Sequence, residues 1–141
     1  RGGLMEQYHD YMRPQESGNK VDVRWLELIR GNAAGGVRVA GAQPLSVNAL
    51  PFPYTDLDRA APGTKRSSDI VPGAQGSLLV DLAQSGVGGD TGWSDLGRPL
   101  PQYRIAVAPV TYSFRLSPVA GDGASAGALP ATATGSAILP E

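Results

Sequence analysis

Few residues in this chain have the type and spacing that chemistry requires. General acid–base work at one bond needs two carboxylates that converge on it. The candidates are Glu16, Glu27, Asp56, Asp58, Asp81, Asp90 and Asp95. None has sequence neighbours that would raise its pKa: Asp56 and Asp58 read as charges at a helix N-terminus, Glu27 as an outward residue of a strand. The single histidine, His9, stands in "EQYHDY", which lacks metal-ligand spacing, and no serine lies on a nucleophile elbow. With no cysteine in the chain, thiolate nucleophiles, thiolate metal sites and disulfides are excluded.

The densest motif is "SGVGGDTGWS", Ser85 to Ser94, which holds four glycines and one of the two tryptophans. A phosphate-cradling loop would need a helix and a lysine after it, and "SDLGRPLP" supplies neither. Asp90, after Gly88 and Gly89, reads as a turn former whose carboxylate reaches backbone N–H groups two residues on. The tryptophans differ in context. Trp25 alternates with Val21 and Val23 and is assigned to the core. Trp93 follows a glycine-rich bend, has polar neighbours in Thr91, Ser94 and Asp95, and belongs to no apolar period. An indole so placed is either a plug in a core or a flat face offered to the C–H groups of a pyranose. The residues alone leave both readings open.

The elements that must position these residues follow from composition. A chain of 141 residues makes one domain. Nineteen glycines and twelve prolines disfavour long helices and predict short strands joined by turns. Residues 1–20 read as an extended segment. "VDVRWLELI" (21–29) and "GVRVAG" (36–41) read as a hairpin, and "PLSVNAL" (44–50) as a third strand with Ser46 and Asn48 outward. Thr55 is a candidate N-cap for one short helix, "DLDRAA" (56–61), ended by Pro62. "SLLVDL" (77–82) reads as a buried strand running into the glycine motif. "YRIAVAP" (103–109) and "TYSFRLSPV" (111–119) read as a closing hairpin. From Ala120 onward small residues without periodicity predict a flexible tail. The expected class is all-β: an antiparallel β-sandwich over residues 1–118, with at most one short helix and a low-complexity tail over 119–141.

Net charge is −1 and the lysines and arginines are scattered, so neither a nucleic acid nor a membrane is expected as partner. No apolar run approaches the roughly 20 residues that span a bilayer. Absence of cysteine suits cytoplasm and periplasm alike. The chain opens on Arg1 rather than Met, and reads as a fragment of something longer.

Three stretches carry a likeness: "MRPQESGNKVDVRWLEL" (12–28), "LVDLAQSGVGGDTGWSDLGRPLPQYRI" (79–105) and "YSFRL" (112–116). Together they strongly resemble the C-terminal, small-chain domain of large family 2 β-galactosidases, over roughly residues 8–118. The resemblance implies a galactose-mutarotase-like supersandwich of which this chain carries the later part. It implies a parent that hydrolyses terminal β-D-galactosides with retention, through two glutamates on a separate (β/α)₈ barrel. That barrel alone takes about 250 residues, so the chain by itself is expected to be inactive. The family's sugar-stacking tryptophan maps onto Trp93, with Gly88, Gly89 and Asp90 bracing its loop; Gly92 departs from the usual pattern. The implied partners are a β-galactoside in the parent active site, the barrel and other domains, and further copies in a homo-oligomer. Mg and Na ions are common in such parents, but no ligand set for them is evident in this chain. Two other readings are a stand-alone carbohydrate-binding module, with Trp93 joined by Tyr54 or Tyr103, and a purely structural module for subunit contacts.

Overall fold

The structure, a computed structural model, describes residues 2–31, 35–57, 66–85, 94–121 and, through their backbone, 131–137. It contains a one-turn helix α1 (Leu4–Gln7) and strands β1 (Lys20–Ile29), β2 (Gly36–Leu50), β3 (Ser77–Asp81), β4 (Val110–Val119) and β5 (Ala131–Ala137). Single 3-10 turns occur at Tyr54–Leu57, Ser67–Asp69, Asp95–Gly97 and Pro101–Tyr103. The β2–β3, β2–β4 and β4–β5 ladders are antiparallel. This is the all-β class expected from the turn-rich composition, consistent with a β-sandwich. The chain divides into two compact units, Arg1–Val21 with Ser46–Asp81 and Asp22–Leu45 with Leu82–Glu141.

In the first unit the opening segment is folded back rather than extended. Leu4, Met5, Glu6 and Gln7 are good helix formers, and the Glu6 carboxylate accepts the N–H of Gly3 at 2.9 Å. The turn after Pro14 then returns to α1. Gly18 has φ +81°, and a Cβ there would lie 1.9 Å from the carbonyl oxygen of Gln7, so only glycine allows the approach. The Ser17 hydroxyl accepts from the His9 N–H at 2.9 Å and donates to the His9 carbonyl at 3.0 Å.

The C-terminal half of β2 pairs with β3, from Ser46 opposite Asp81 to Leu50 opposite Ser77. Val47, Leu50 and Phe52 are buried, and Tyr8 meets Phe52 edge-on at 5.0 Å between centroids. The alternate positions are not outward as their period predicts: Ser46 and Asn48 are each only 2% exposed. The N-terminal segment reaches Ser46, with the Asn19 amide donating to Ser46 Oγ at 2.9 Å and accepting its hydroxyl at 3.2 Å. β3 is half-buried throughout, less than the buried strand expected. The expected helix over 56–61 is, in its described part, the 3-10 turn Tyr54–Leu57; residues 58–65 lie outside the described ones.

In the second unit the strand order is β1-β2-β4-β5. The β1–β2 hairpin expected from the sequence forms, closed by the Arg30 N–H on the Gly35 carbonyl at 3.0 Å. β2 continues unbroken through Pro44, where two strands were expected. Its ladder with β4 ends at Gly41 and its ladder with β3 begins at Ser46, so neither needs the N–H that proline lacks. β4 presents Tyr112, Phe114 and Leu116 half-buried, with the two rings 6.1 Å apart.

Three expectations are overturned here. Trp25 is 54% exposed rather than core. β1 is the edge of this sheet, and Asp22, with φ +56°, interrupts the alternation that placed Trp25 with Val21. The closing hairpin is also different: residues 103–109 form no strand, and β4 pairs with β5, from Val110 opposite Ala137 to Leu116 opposite Ala131. β5 lies in the stretch read as a flexible tail. Its small side chains hid it, because a ladder satisfies backbone groups whatever the side chains are.

Candidate functional site

The site read from the sequence is the glycine-rich loop with Trp93, braced by Gly88, Gly89 and Asp90. All four lie outside the described residues. What the structure describes are the loop's flanks, each within its own unit. Upstream, β3 ends at Asp81, whose cross-strand neighbour is the buried Ser46. Burial raises the Asp81 carboxyl pKa above the ordinary carboxylate range. The sequence reading foresaw no raised carboxylate, since the apolar strand "SLLVD" does not reveal which segments cover its end.

Downstream, Ser94 caps a 3-10 turn by accepting the Leu96 N–H at 3.2 Å. Asp95 pairs with Arg98 at 3.2 Å, both side chains well exposed. A second 3-10 turn, Pro101–Tyr103, follows, and Arg104 Nε donates to the Pro99 carbonyl at 2.7 Å. The chain leaving the glycine motif is thus held by local caps rather than by a helix.

The other sequence candidates have local roles. Glu27 pairs with Arg38 at 3.7 Å. Asp56 lies in the first turn of Tyr54–Leu57. Glu16 sits half-buried in a turn held by the side chains of Ser17 and Asn19. His9 is exposed and edge-on to Tyr11 at 4.3 Å. Asp58 lies outside the described residues. Tyr54 and Tyr103, the suggested platform companions, are 43% and 67% exposed, one in each unit. Among the described residues no three His, Cys, Asp or Glu side chains gather as metal ligands. No helix among the described residues is long and apolar enough to cross a membrane.

The described residues form a mainly antiparallel β-fold joined by single 3-10 turns, and Glu27, Asp56 and Asp95 have local roles in it. The chain belongs to the β-galactosidase small-chain family, whose pattern matches residues 1–116. It is 35% identical over 121 residues to a β-galactosidase of Priestia megaterium (strain DSM 319 / IMG 1521), covering 84% of this chain and 11% of that protein. It is 42% identical over 87 residues to β-galactosidase BgaC of Bifidobacterium adolescentis, covering 59% and 8% respectively. A β-galactosidase of Lactobacillus delbrueckii subsp. bulgaricus is 30% identical over 100 residues, covering 70% and 9%. The chain therefore spans only about a tenth of the length of these relatives.

Proposed function

We propose that this chain is the small-chain part of a family 2 β-galactosidase and lends Trp93 to the rim of its active site. The family match over residues 1–116 carries this reading, and the names of the matched relatives support the substrate class. Hydrolysis proceeds with retention on a separate barrel, where one glutamate attacks the anomeric carbon and a second acts as acid and then base. The chain supplies neither glutamate. Trp93 stacks its indole on the sugar's C–H face, and Gly88, Gly89 and Asp90 hold the bend that presents it. The barrel and remaining domains are its partners, within a homo-oligomer.

Stacking of this kind binds substrate and transition state alike, so it acts on KM more than on kcat. In the complete β-galactosidase polypeptide, Trp93→Ala raises KM for a nitrophenyl β-galactoside roughly two- to twelvefold, the factor that about 0.5–1.5 kcal/mol of aromatic contact implies. Trp93→Phe recovers part of that loss. A fall in kcat at unchanged KM would remove Trp93 from the sugar-binding role.

A further inference from the structure

β1 is the edge strand of its sheet, and its single aromatic side chain, Trp25, is 54% exposed. Strict alternation along the strand would place this indole with Val21 and Val23. Asp22 breaks that alternation with φ +56°, a left-handed conformation that a residue with a Cβ adopts at a cost. The strain thus falls three residues before the ring. The ring is also fixed in place, because the Arg38 guanidinium from β2 lies over it, 4.5 Å from the centroid. On its other side β1 has no described strand, so no neighbouring strand there shares the second face of the indole.

Two planar polar groups stand beside the ring. Arg38 and Glu27 approach to 3.7 Å, beyond hydrogen-bond reach, so guanidinium N–H donors and carboxylate lone pairs both stay available. Together the pair is neutral, which favours an uncharged ligand over an anion. An aromatic face flanked by such donors and acceptors fits a ligand with C–H groups on one side and hydroxyls around its rim. That is the chemistry of a sugar ring.

We propose that Trp25, with Arg38 and Glu27 beside it, is a galactan-binding platform at the edge of this sheet. The indole stacks on one galactosyl ring of a β-linked polymer, Arg38 donates to its hydroxyls and Glu27 accepts from them. Such a platform holds the enzyme on a polymeric substrate whose ends it cleaves. The choice of a galactosyl polymer rests on the reading of the chain as part of a β-galactosidase.

The test is native electrophoresis of the complete polypeptide through gels containing a soluble, unbranched β-linked galactan. Such a polymer offers few ends to a site that cleaves terminal residues, and retardation against its concentration gives a dissociation constant. Trp25→Ala is expected to raise that constant at least about threefold, the order that loss of one aromatic contact gives. Trp25→Tyr keeps most of the binding, and Trp93→Ala keeps all of it. If Trp25→Ala does not elute at the volume of the parent, Trp25→Leu, with apolar bulk and no ring face, takes its place. No retardation of the unsubstituted polypeptide overturns the platform, and so does a Trp25 variant without a ring that is retarded like its parent. A loss in Trp93→Ala as large as in Trp25→Ala places the polymer on the active-site rim and also overturns it. Hydrolysis of a nitrophenyl β-galactoside is measured on the same sample. Hydrolysis without retardation defeats the platform alone, and Trp25-dependent retardation without hydrolysis defeats the enzymatic reading alone.

Discussion

The guanidinium of Arg38 lies 4.5 Å from the centroid of the Trp25 ring, on a sheet edge where the indole is otherwise 54% exposed. Arg38 also reaches Glu27 at 3.7 Å, so one side chain bridges an aromatic face and a carboxylate on the same strand. An exposed cation–π contact contributes about 0.5–1 kcal/mol, and a surface ion pair typically less. Arg38→Ala is therefore expected to lower the denaturant midpoint by that order and to change Trp25 fluorescence, while Glu27→Ala has a smaller effect. Equal effects of the two substitutions would place the energy in the ion pair instead.

A buried amide–hydroxyl pair should behave differently. Asn19 and Ser46 exchange two hydrogen bonds, and Ser46 is 2% exposed. Removing one partner leaves the other buried without it, at about 1–3 kcal/mol, whereas removing both is milder than the sum. Asn19→Ala and Ser46→Ala are each expected to destabilise, and the double variant to fall well short of additivity in urea unfolding. Strict additivity would mean that the two side chains act separately.

Gly18 is needed for its backbone. At φ +81°, with Gln7 carbonyl oxygen 1.9 Å from any Cβ, an alanine has to break the fold-back of the N-terminal segment. Gly18→Ala is expected to cost at least about 1–3 kcal/mol. It should also increase proteolysis between Gln7 and Asn19. Unchanged midpoint and cleavage would show that the turn adapts.

Asp81 gives a pH dependence with a definite sign. Burial raises its pKa in the folded chain above the unfolded value, so the folded state holds the proton more tightly. Its contribution is most favourable below the ordinary carboxylate range and is lost as pH rises through the raised value. Asp81→Asn removes that loss. The variant's urea midpoint should exceed that of the parent chain at pH 7, with the difference shrinking by pH 3; a difference independent of pH would assign it to something other than ionisation.

Much of this was legible in the residues. Period-two alternation located β1 and β4, an apolar run located β3, and turn residues located the hairpin at 30–35. The paired motifs "RPQESGNKVDVRW" and "GVGGDTGW" carried the family. What was not legible depends on covering segments. Ser46 and Asn48 alternate as outward residues yet are buried, and Asn19 lies on Ser46. Asp81 owes its shifted pKa to the same kind of burial. β5 has no apolar period to detect, and residues 103–109 have the period without a described partner.

The sequence by itself determined the antiparallel β class, the strands β1, β3 and β4, and the family, since each depends on side-chain period, apolar runs or motif order. Tertiary structure alone decided that Trp25 stands at a sheet edge under Arg38, that β4 takes β5 as its neighbour, and that polar side chains fill the covered face of β2. The physical reason is that exposure belongs to a surface and whatever lies over it, and spacing along one strand specifies only the surface.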